Sequence, residues 1–189
     1  APAWVATIGR PQAIASITET TPLKKRFEAT IDLSGLTEGT RDIVFTAHRE
    51  GDDCVERQPI VVLNDAPEGL EDAADAQLRF RAAGDGDESL EVIVNGTSLA
   101  DLKPEDLAGG ELQVTVPGDL LNRLNAIEFR APADAESPTL SRIWLTRDGR
   151  RYRDARFSPA VPLRLRATDD GPSRLAVYID LQYDGAAAQ

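Results

Sequence analysis

The residues with the most distinctive chemistry lie in one segment, Ser141 to Arg156, which reads SRIWLTRDGRRYRDAR. Six arginines and only two aspartates occur in it, together with a tryptophan and a tyrosine. Guanidinium groups pair in a bidentate manner with carboxylate or sulfate, and aromatic rings stack on sugar faces or on guanidinium planes. We predict a ligand-binding set of seven residues from this segment: Arg142, Trp144, Arg147, Arg150, Arg151, Tyr152 and Arg153.

A structural explanation of the same segment stays open. Trp144 can fill the core of a domain, and the arginines can pair with acidic residues elsewhere in the chain. Residues 66–140 carry 16 acidic and 5 basic side chains, whereas residues 141–189 carry 6 acidic and 9 basic ones. The segment is therefore predicted to contact either an anionic glycan or an acidic surface of this chain or of a partner.

Acidic residues on a glycine-rich loop predict a second kind of site. Asp85, Asp87 and Glu88 lie close together, and a further acidic group occupies residues 71–75. Carboxylate oxygens on loops are the ligands that Ca²⁺ prefers. No EF-hand loop can be drawn through them, so no cofactor is expected, and a structural calcium ion is the alternative that stays open.

Catalytic arrangements are difficult to build from this sequence. A nucleophile with an imidazole base needs His48, the only histidine, and Cys54 is the only cysteine. Paired carboxylates for glycoside hydrolysis must project into a cleft, but Glu91, Glu111 and Glu128 fall on the polar phase of predicted strands. We therefore predict no enzyme activity within this chain, although a longer parent protein can hold an active site elsewhere.

Composition limits the classes of partner. The net charge of −11 argues against general nucleic-acid binding, which depends on neutralising phosphates with Lys and Arg. No run of residues approaches the roughly 18 apolar residues of a membrane-spanning helix, so no membrane insertion is expected. The chain begins Ala-Pro-Ala and has no methionine, which is expected of a processed or excised product. Removal of an export signal explains this start, so we predict a secreted or cell-surface location.

Alternation of apolar and polar residues recurs along the chain and sets the fold class. It runs through residues 111–116, 127–130, 163–168 and 175–181. A period of two marks a strand that buries one face, and such sheets pack against each other as sandwiches. The prediction is an all-β fold made of β-sandwich modules.

Turns, short helices and a boundary complete the prediction. Asn95-Gly96 and Asp148-Gly149 are predicted as tight hairpin turns because both dipeptides accept positive φ. Helices are predicted only at Pro104–Ala108 and Gly118–Arg123. An acidic, alanine-rich stretch at residues 66–75 is predicted to be a linker between domains at residues 1–65 and 76–189, and a helix over Glu68–Ala76 is the alternative.

The first of these domains has a recognisable order of segments. The corner IDLSGLTEGT at residues 31–40 is followed by a strand at Asp42–Ala47, a polar turn at Glu50–Asp53 and a valine-rich strand at Pro59–Leu63. This order, over residues 23–63, resembles the closing strands of bacterial immunoglobulin-like modules. Such modules have about seven strands and roughly 100 residues. Either the opening strands precede Ala1, or Trp4–Ile8 and Ala13–Thr18 complete a reduced sandwich.

The second domain contains a strand and Asn-Gly turn at Leu90–Gly96, a strand ending in proline at Glu111–Pro117, and the segment Leu121–Phe129 with its Asn125-Ala126-Ile127. These features resemble the galactose-binding-like jelly rolls that accompany many secreted carbohydrate-active enzymes. Arg123-Leu124 stands where that family usually has glycine, so the pattern is incomplete. The resemblance implies a jelly-roll sandwich and binding of carbohydrate.

The basic segment and the resemblance together imply a non-catalytic polysaccharide-binding or accessory module of an exported protein. Two alternatives stay open: a structural spacer or assembly domain of a cell-surface or multi-subunit protein, and a β-rich fragment of a larger secreted hydrolase. The partners expected are a polysaccharide, an acidic protein surface or the remainder of a longer parent chain.

Overall fold

The computed structural model of this chain describes residues 3–8, 13–16, 18–21, 26–28, 36–49, 52–63, 69–70, 73–83, 89–107, 110–132, 138–168 and 171–183. Contacts between Cα atoms divide the chain into two compact units, Ala1–Asn64 and Asp65–Gln189. Both are built from antiparallel sheets, so the all-β prediction is confirmed. The domain and linker boundaries stay a prediction, because residues 64–68 lie outside the described residues.

The described part of the first unit consists of strands in two sheets. They are β1 (Ala3–Ile8), β2 (Ala13–Ser16), β3 (Thr18–Thr21), β4 (Arg26–Glu28), β5 (Gly39–Arg49) and β6 (Asp52–Val62). The larger sheet has the order β2-β1-β5-β6, and β3 pairs with β4. The strands predicted from the immunoglobulin-like pattern lie inside β5 and at the end of β6, while that assignment itself stays a prediction.

One detail of the first unit differs from the prediction. Arg49 of β5 pairs with Asp52 of β6, so Asp52 and Asp53 belong to a strand and not to the predicted turn. A long antiparallel ladder extends the strands because each added pair satisfies more backbone groups.

The second unit is a sandwich of two sheets. Its elements are β7 (Ala76–Ala83), β8 (Leu90–Val94), β9 (Thr97–Leu102), α1 (Pro104–Leu107), β10 (Gly110–Val116), β11 (Leu124–Ala131), β12 (Thr139–Arg147), β13 (Arg150–Tyr152), β14 (Leu163–Arg164), β15 (Arg166–Thr168) and β16 (Gly171–Asp180). The front sheet has the order β10-β7-β12-β13, with β14 also paired to β12. The back sheet has the order β15-β16-β11-β8-β9.

The core of the second unit lies between these sheets. Leu78 and Phe80 of β7 are fully buried, as are Ile127 and Phe129 of β11. The rings of Phe80 and Phe129 meet edge to face with centroids 5.0 Å apart, which joins the front sheet to the back sheet. Burying each large apolar side chain stabilises the fold by about 1.5–3 kcal/mol. The alternating patterns of the sequence therefore do form the two inner faces of a sandwich.

Both predicted hairpin turns are confirmed. Asn95 and Gly96 have φ angles of 49° and 84°, and Asp148 and Gly149 have φ angles of 49° and 73°. Two successive positive φ angles define the turn type whose twist matches that of antiparallel strands. The second turn fixes the register of the β12–β13 hairpin.

One of the two predicted short helices forms as α1, and the other forms only a short 3-10 turn. Helix α1 begins at Pro104, which suits the first helical position, and Asp106 accepts a hydrogen bond from the Lys103 backbone N–H at 3.0 Å. A 3-10 turn spans only Gly118–Leu120, less than predicted, because β11 begins at Leu124.

Residues just before β7 pack against the sandwich of the second unit. The Leu70 backbone N–H donates to the Leu121 carbonyl at 3.1 Å, and Leu70 and Ala73 lie against the core. A Cβ atom added to Gly118 would lie 1.6 Å from the Ala73 carbonyl oxygen. No residue larger than glycine fits there without a backbone shift, and the Gly118 N–H donates to the Asp75 carboxylate at 2.9 Å. The described residues of this stretch, 69–70 and 73–75, form no helix.

The strand predicted at residues 163–168 is divided between the two sheets. Its first part, β14, pairs with β12, and its second part, β15, pairs with β16. Leu165 is buried at the crossing, whereas Ala167 is exposed, contrary to the predicted alternation. Strands that change sheet make the corners of sandwiches.

Candidate functional site

The outer face of the front sheet gathers polar side chains from four strands. Alternation directs Gln77, Arg79 and Arg81 of β7 outward, because Leu78 and Phe80 are buried. The register aligns these three residues with outward residues of β10, β12 and β13. We call the set the front face: Gln77, Arg79, Arg81, Glu111, Gln113, Thr115, Trp144, Thr146 and Arg151.

Trp144 occupies the middle of the front face. It lies between Ile143 and Leu145, which are buried, so its side chain points away from the core and is half-buried. Arg79 is its partner across the strands, and Gln113 is the next residue in the same row. The alternative in which Trp144 fills the core is therefore wrong.

Hydrogen bonds connect three side chains of this face, while two buried polar atoms of the face have no hydrogen-bond partner. The Gln113 side-chain amide donates to the Gln77 Oε1 atom at 2.9 Å, and the Thr115 hydroxyl lies 3.3 Å from the same oxygen. Among the described residues, Arg79 Nε and Thr146 Oγ1 are buried atoms without a hydrogen-bond partner. Arg147 Nε, outside the front face, is in the same position, so these atoms do not single out the front face.

The charge of the front face is opposite to that of the chain. The set contains three arginines, Arg79, Arg81 and Arg151, and a single carboxylate, that of Glu111. Arg79 Nη1 lies 3.5 Å from the Glu111 Oε1 atom. The face therefore carries a net charge of about +2 by formal count of these four side chains, in a protein whose net charge is −11. Electrostatics therefore favour an anionic ligand at this surface and oppose one over most of the remaining surface of the protein.

The outer face of the back sheet is different, because the charges at its centre are already paired. Arg130 makes two hydrogen bonds to the Glu128 carboxylate, at 2.8 and 2.9 Å, and Arg174 lies 3.5 Å from Glu128. The hydrogen bond from Arg130, opposed by burial, holds the pKa of Glu128 below its ordinary value. A self-paired network of this kind offers little to an ionic ligand.

The β12–β13 hairpin separates the predicted binding residues onto different faces. Trp144 and Arg151 belong to the front face, whereas Tyr152 pairs with Leu145 and packs against the core. Arg147 and Arg150 face each other at the hairpin tip, and Arg147 lies 3.4 Å from the Asp148 carboxylate. The structure thus does not bring the seven predicted residues into one cluster.

Arg142 lies at an irregularity of β12. The pairing register with β7 shifts between Ser141 and Trp144, as in a β-bulge, and Arg142 has a φ angle of 53°. A left-handed backbone costs a residue with a side chain about 1–2 kcal/mol. The Arg142 N–H donates to the Pro159 carbonyl at 3.0 Å, which holds this conformation in place.

The loop after β13 is anchored by a buried carboxylate. Asp154 is 5% exposed and accepts hydrogen bonds from Arg156 Nε at 3.0 Å, Arg156 Nη2 at 2.6 Å, the Arg156 N–H at 2.9 Å and the Tyr178 N–H at 2.8 Å. The Arg156 guanidinium also lies about 5 Å from the ring centres of Phe157 and Tyr178. Its hydrogen bond to Asp154 raises the pKa of Arg156. This cluster fastens the loop to the edge of β16.

A pocket opens between the bulge and this loop. Its walls include Arg142, Arg153, Ser158 and Leu163, and its empty volume is about 310 Å³, including space open to solvent. Arg153 Nη1 donates to the Phe157 carbonyl at 2.6 Å, which fixes the guanidinium at the wall.

Several sequence predictions fall outside the described side chains. The calcium residues Asp85, Asp87 and Glu88 lie outside the described residues, and no metal-binding group of His, Cys, Asp and Glu occurs within them. His48 lies in β5 and Cys54 lies in β6, and at these two positions only the backbone is described. The calcium and catalytic questions therefore stay at the level of prediction.

Sequence reasoning missed the part of the front face that β7 and β10 supply. The signal was present, since Gln77, Arg79 and Arg81 alternate with apolar residues in the same way as the predicted strands do. What the sequence does not contain is the pairing of β7 with β12, which places Arg79 opposite Trp144.

Comparisons with protein-family models, with curated proteins and with solved structures found no match to this chain. Within the described residues, no helix has the length and apolar character needed to span a membrane.

Proposed function

We propose that this chain is a non-catalytic, polysaccharide-binding or accessory module of an exported protein, and that its front face holds an acidic polysaccharide. The observation that carries the proposal is Trp144, which lies half-buried on an outward sheet face between hydrogen-bonding side chains. An aromatic ring with amides, hydroxyls and guanidinium groups around it matches a sugar, which has apolar ring faces and polar edges.

The charge of the front face selects the class of polysaccharide. Arg79, Arg81 and Arg151 lie on it, and only Arg79 is within ion-pair distance of Glu111. Guanidinium groups suit carboxylate-bearing or sulfated sugars, and the acidic remainder of the chain disfavours binding elsewhere.

Affinity electrophoresis tests the proposal directly. The full chain is run in native gels that contain polygalacturonate, alginate, hyaluronate or, as neutral controls, dextran and hydroxyethyl cellulose. We expect retardation by at least one acidic polymer, and this retardation should decrease as salt is raised because exposed charge pairs are screened. If none of the acidic polymers retards the protein, the proposal is overturned and the spacer alternative gains.

Variants locate the binding surface. Trp144→Ala should weaken binding about 30-fold, as expected for an aromatic anchor worth about 2 kcal/mol, and Trp144→Phe should retain much of it. Arg151→Ala should weaken binding a few-fold at low salt. Arg166→Ala removes an arginine that is also exposed, from the back sheet, and is the matched control. Equal losses in Arg151→Ala and Arg166→Ala would show that binding follows total charge and not the front face.

A further inference from the structure

Strand β10 is an edge of the front sheet, since β7 is its one partner among the described strands. Its residues pair with β7 in an unbroken register from Gly110 to Val116. In an antiparallel sheet, alternate residues direct both backbone polar groups to the same side, so about three or four residues of β10 present an N–H and a C=O to the free side. Within the described part of the chain, no other segment makes a backbone hydrogen bond to β10. Its free side can therefore accept a further strand.

The other edge strands carry features that oppose pairing with a partner. The strands β3, β4, β13, β14 and β15 have only two to four residues each. The pairing of β2 and that of β9 are interrupted by irregularities, and β6 contains Pro59. Short strands, bulges and prolines are the usual means by which proteins protect a sheet edge. Strand β10 has none of them, and Glu111 is its only charged residue.

The sequence of β10 is complementary to itself when two copies run antiparallel about Gln113. On the outward side, Gln113 then lies opposite the second Gln113, and Glu111 lies opposite Thr115. On the inward side, Leu112 lies opposite Val114. Like charges do not meet in this register, and amide, carboxylate and hydroxyl groups can hydrogen-bond across the strands. Leu112 is half-buried in the single chain and loses further contact with water in the pair.

We propose that two copies of this chain pair through β10, antiparallel and centred on Gln113, so that their front sheets become one continuous sheet. The pairing adds about six to eight backbone hydrogen bonds, depending on which alternate residues face the free side. An interface made mainly by one strand is at the small end of specific interfaces, so we expect a dissociation constant on the order of 10 μM.

The dimer places both front faces on the same side of the joined sheet, because its two-fold axis is perpendicular to that sheet. Trp144 lies two strands from the free side of β10, so five strand spacings separate the two tryptophans, or about 24 Å. The consequence for ligand binding rests on the proposed function: one polysaccharide chain can contact both faces, and the second contact is strengthened by its high effective concentration. The pairing of the strands does not depend on that function.

Sedimentation velocity over a range of protein concentrations tests the dimer. The chain carries a net charge of −11, so the measurement is made at about 0.15 M salt, where long-range repulsion is screened. Gln113→Lys places two cations directly opposite each other and should raise the dissociation constant about fivefold. Gln113 is exposed, so the variant should fold, and its urea midpoint checks this. Ala167→Lys adds the same charge at an exposed position of β15, on the opposite edge, and should dimerise as the wild type does.

Mixing two variants tests the register. In an equimolar mixture of Gln113→Lys and Gln113→Glu, native mass spectrometry should show the mixed dimer in excess over the pair of lysine variants, because opposite charges then meet at the centre. A wild-type chain that stays monomeric up to about 1 mM would overturn the inference, since an interface of this affinity is populated there. Unchanged dimerisation of Gln113→Lys would also overturn it.

The gels that contain acidic polysaccharide judge the proposed function separately. A dimer that no polymer retards leaves the strand pairing in place and removes the proposed function. A monomer that is retarded does the reverse.

Discussion

Replacing Asp154 by Asn should destabilise the second unit strongly although the two side chains have the same shape. The carboxylate is 5% exposed and accepts hydrogen bonds from four N–H donors, three of Arg156 and that of Tyr178, with Arg156 Nε shared between both oxygens. An amide has one acceptor oxygen, so its NH₂ group must face either the Arg156 backbone N–H or the pair of Arg156 Nη2 and the Tyr178 N–H.

The magnitude follows from the donors that lose their acceptor and from the ion pair that is lost with the carboxylate charge. Hydrogen bonds to charged groups contribute about 1.5–3 kcal/mol each, and breaking a buried ion pair costs about 3–5 kcal/mol. Arg156 is 29% exposed and recovers some hydration, so we take the lower end. We expect a loss of about 3 kcal/mol in the free energy of unfolding, or about 10 °C in Tm for a domain of this size.

Urea unfolding monitored by tryptophan fluorescence measures this loss. A Trp4→Phe background leaves Trp144 as the only reporter, so the signal comes from the second unit. Asp148→Asn makes the same chemical change at an exposed hairpin tip and should alter stability by less than about 0.5 kcal/mol. Combining Asp154→Asn with Arg156→Gln should give a coupling energy of about 1.5 kcal/mol or more. A loss under about 1 kcal/mol, or no coupling, would refute this account of the loop anchor.

Three further predictions concern other parts of the chain. Gly118→Ala should cost about 3 kcal/mol because the new Cβ meets the Ala73 carbonyl, whereas Gly110→Ala, which has open space around it, should be nearly neutral; equal unfolding midpoints would contradict this. Glu128 has a pKa held below its ordinary 4.5, so its contribution is present at neutral pH and lost as the pH falls below that value. Glu128→Gln should therefore reduce the loss of unfolding free energy below about pH 5 by roughly 0.5 kcal/mol. A plot of unfolding free energy against pH that runs parallel to that of the wild type would contradict this. If the predicted acidic loop binds calcium, chelation should lower Tm and adding back Ca²⁺ should restore it, while metal analysis that finds no calcium would remove the prediction.

Local patterns predicted the elements of the sandwich well, and for a physical reason. A buried face imposes a period of two on each strand, so residues 111–116 could be assigned without knowledge of their partners. The dipeptides at 95–96 and 148–149 predicted their turns because positive φ is a property of those residues themselves. The split at Leu165 could not be predicted, since periodicity does not say which sheet a strand joins.

The candidate site likewise combines features that local sequence patterns predict with features that depend on pairing between distant strands. The basic segment supplies Trp144 and Arg151 to the front face, whereas Tyr152, which the sequence prediction grouped with them, lies on the other face. A two-residue turn at Asp148-Gly149 already places Tyr152 opposite Leu145, on the other face from Trp144. The contribution of Arg79 depends on pairing between strands about 65 positions apart, and one sequence does not encode that pairing in any local pattern.

The crossing at Leu165 has a consequence for how the second unit can open. At this edge the chain leaves the front sheet and enters the back sheet within one residue, so the sheets cannot separate there unless the β12–β14 or the β15–β16 ladder breaks. At the other edge, β9 and β10 are joined by a longer segment that includes α1, and no strand there passes directly from one sheet to the other. We therefore expect transient separation of the sheets to begin at the β9–β10 edge, with the crossing acting as the hinge.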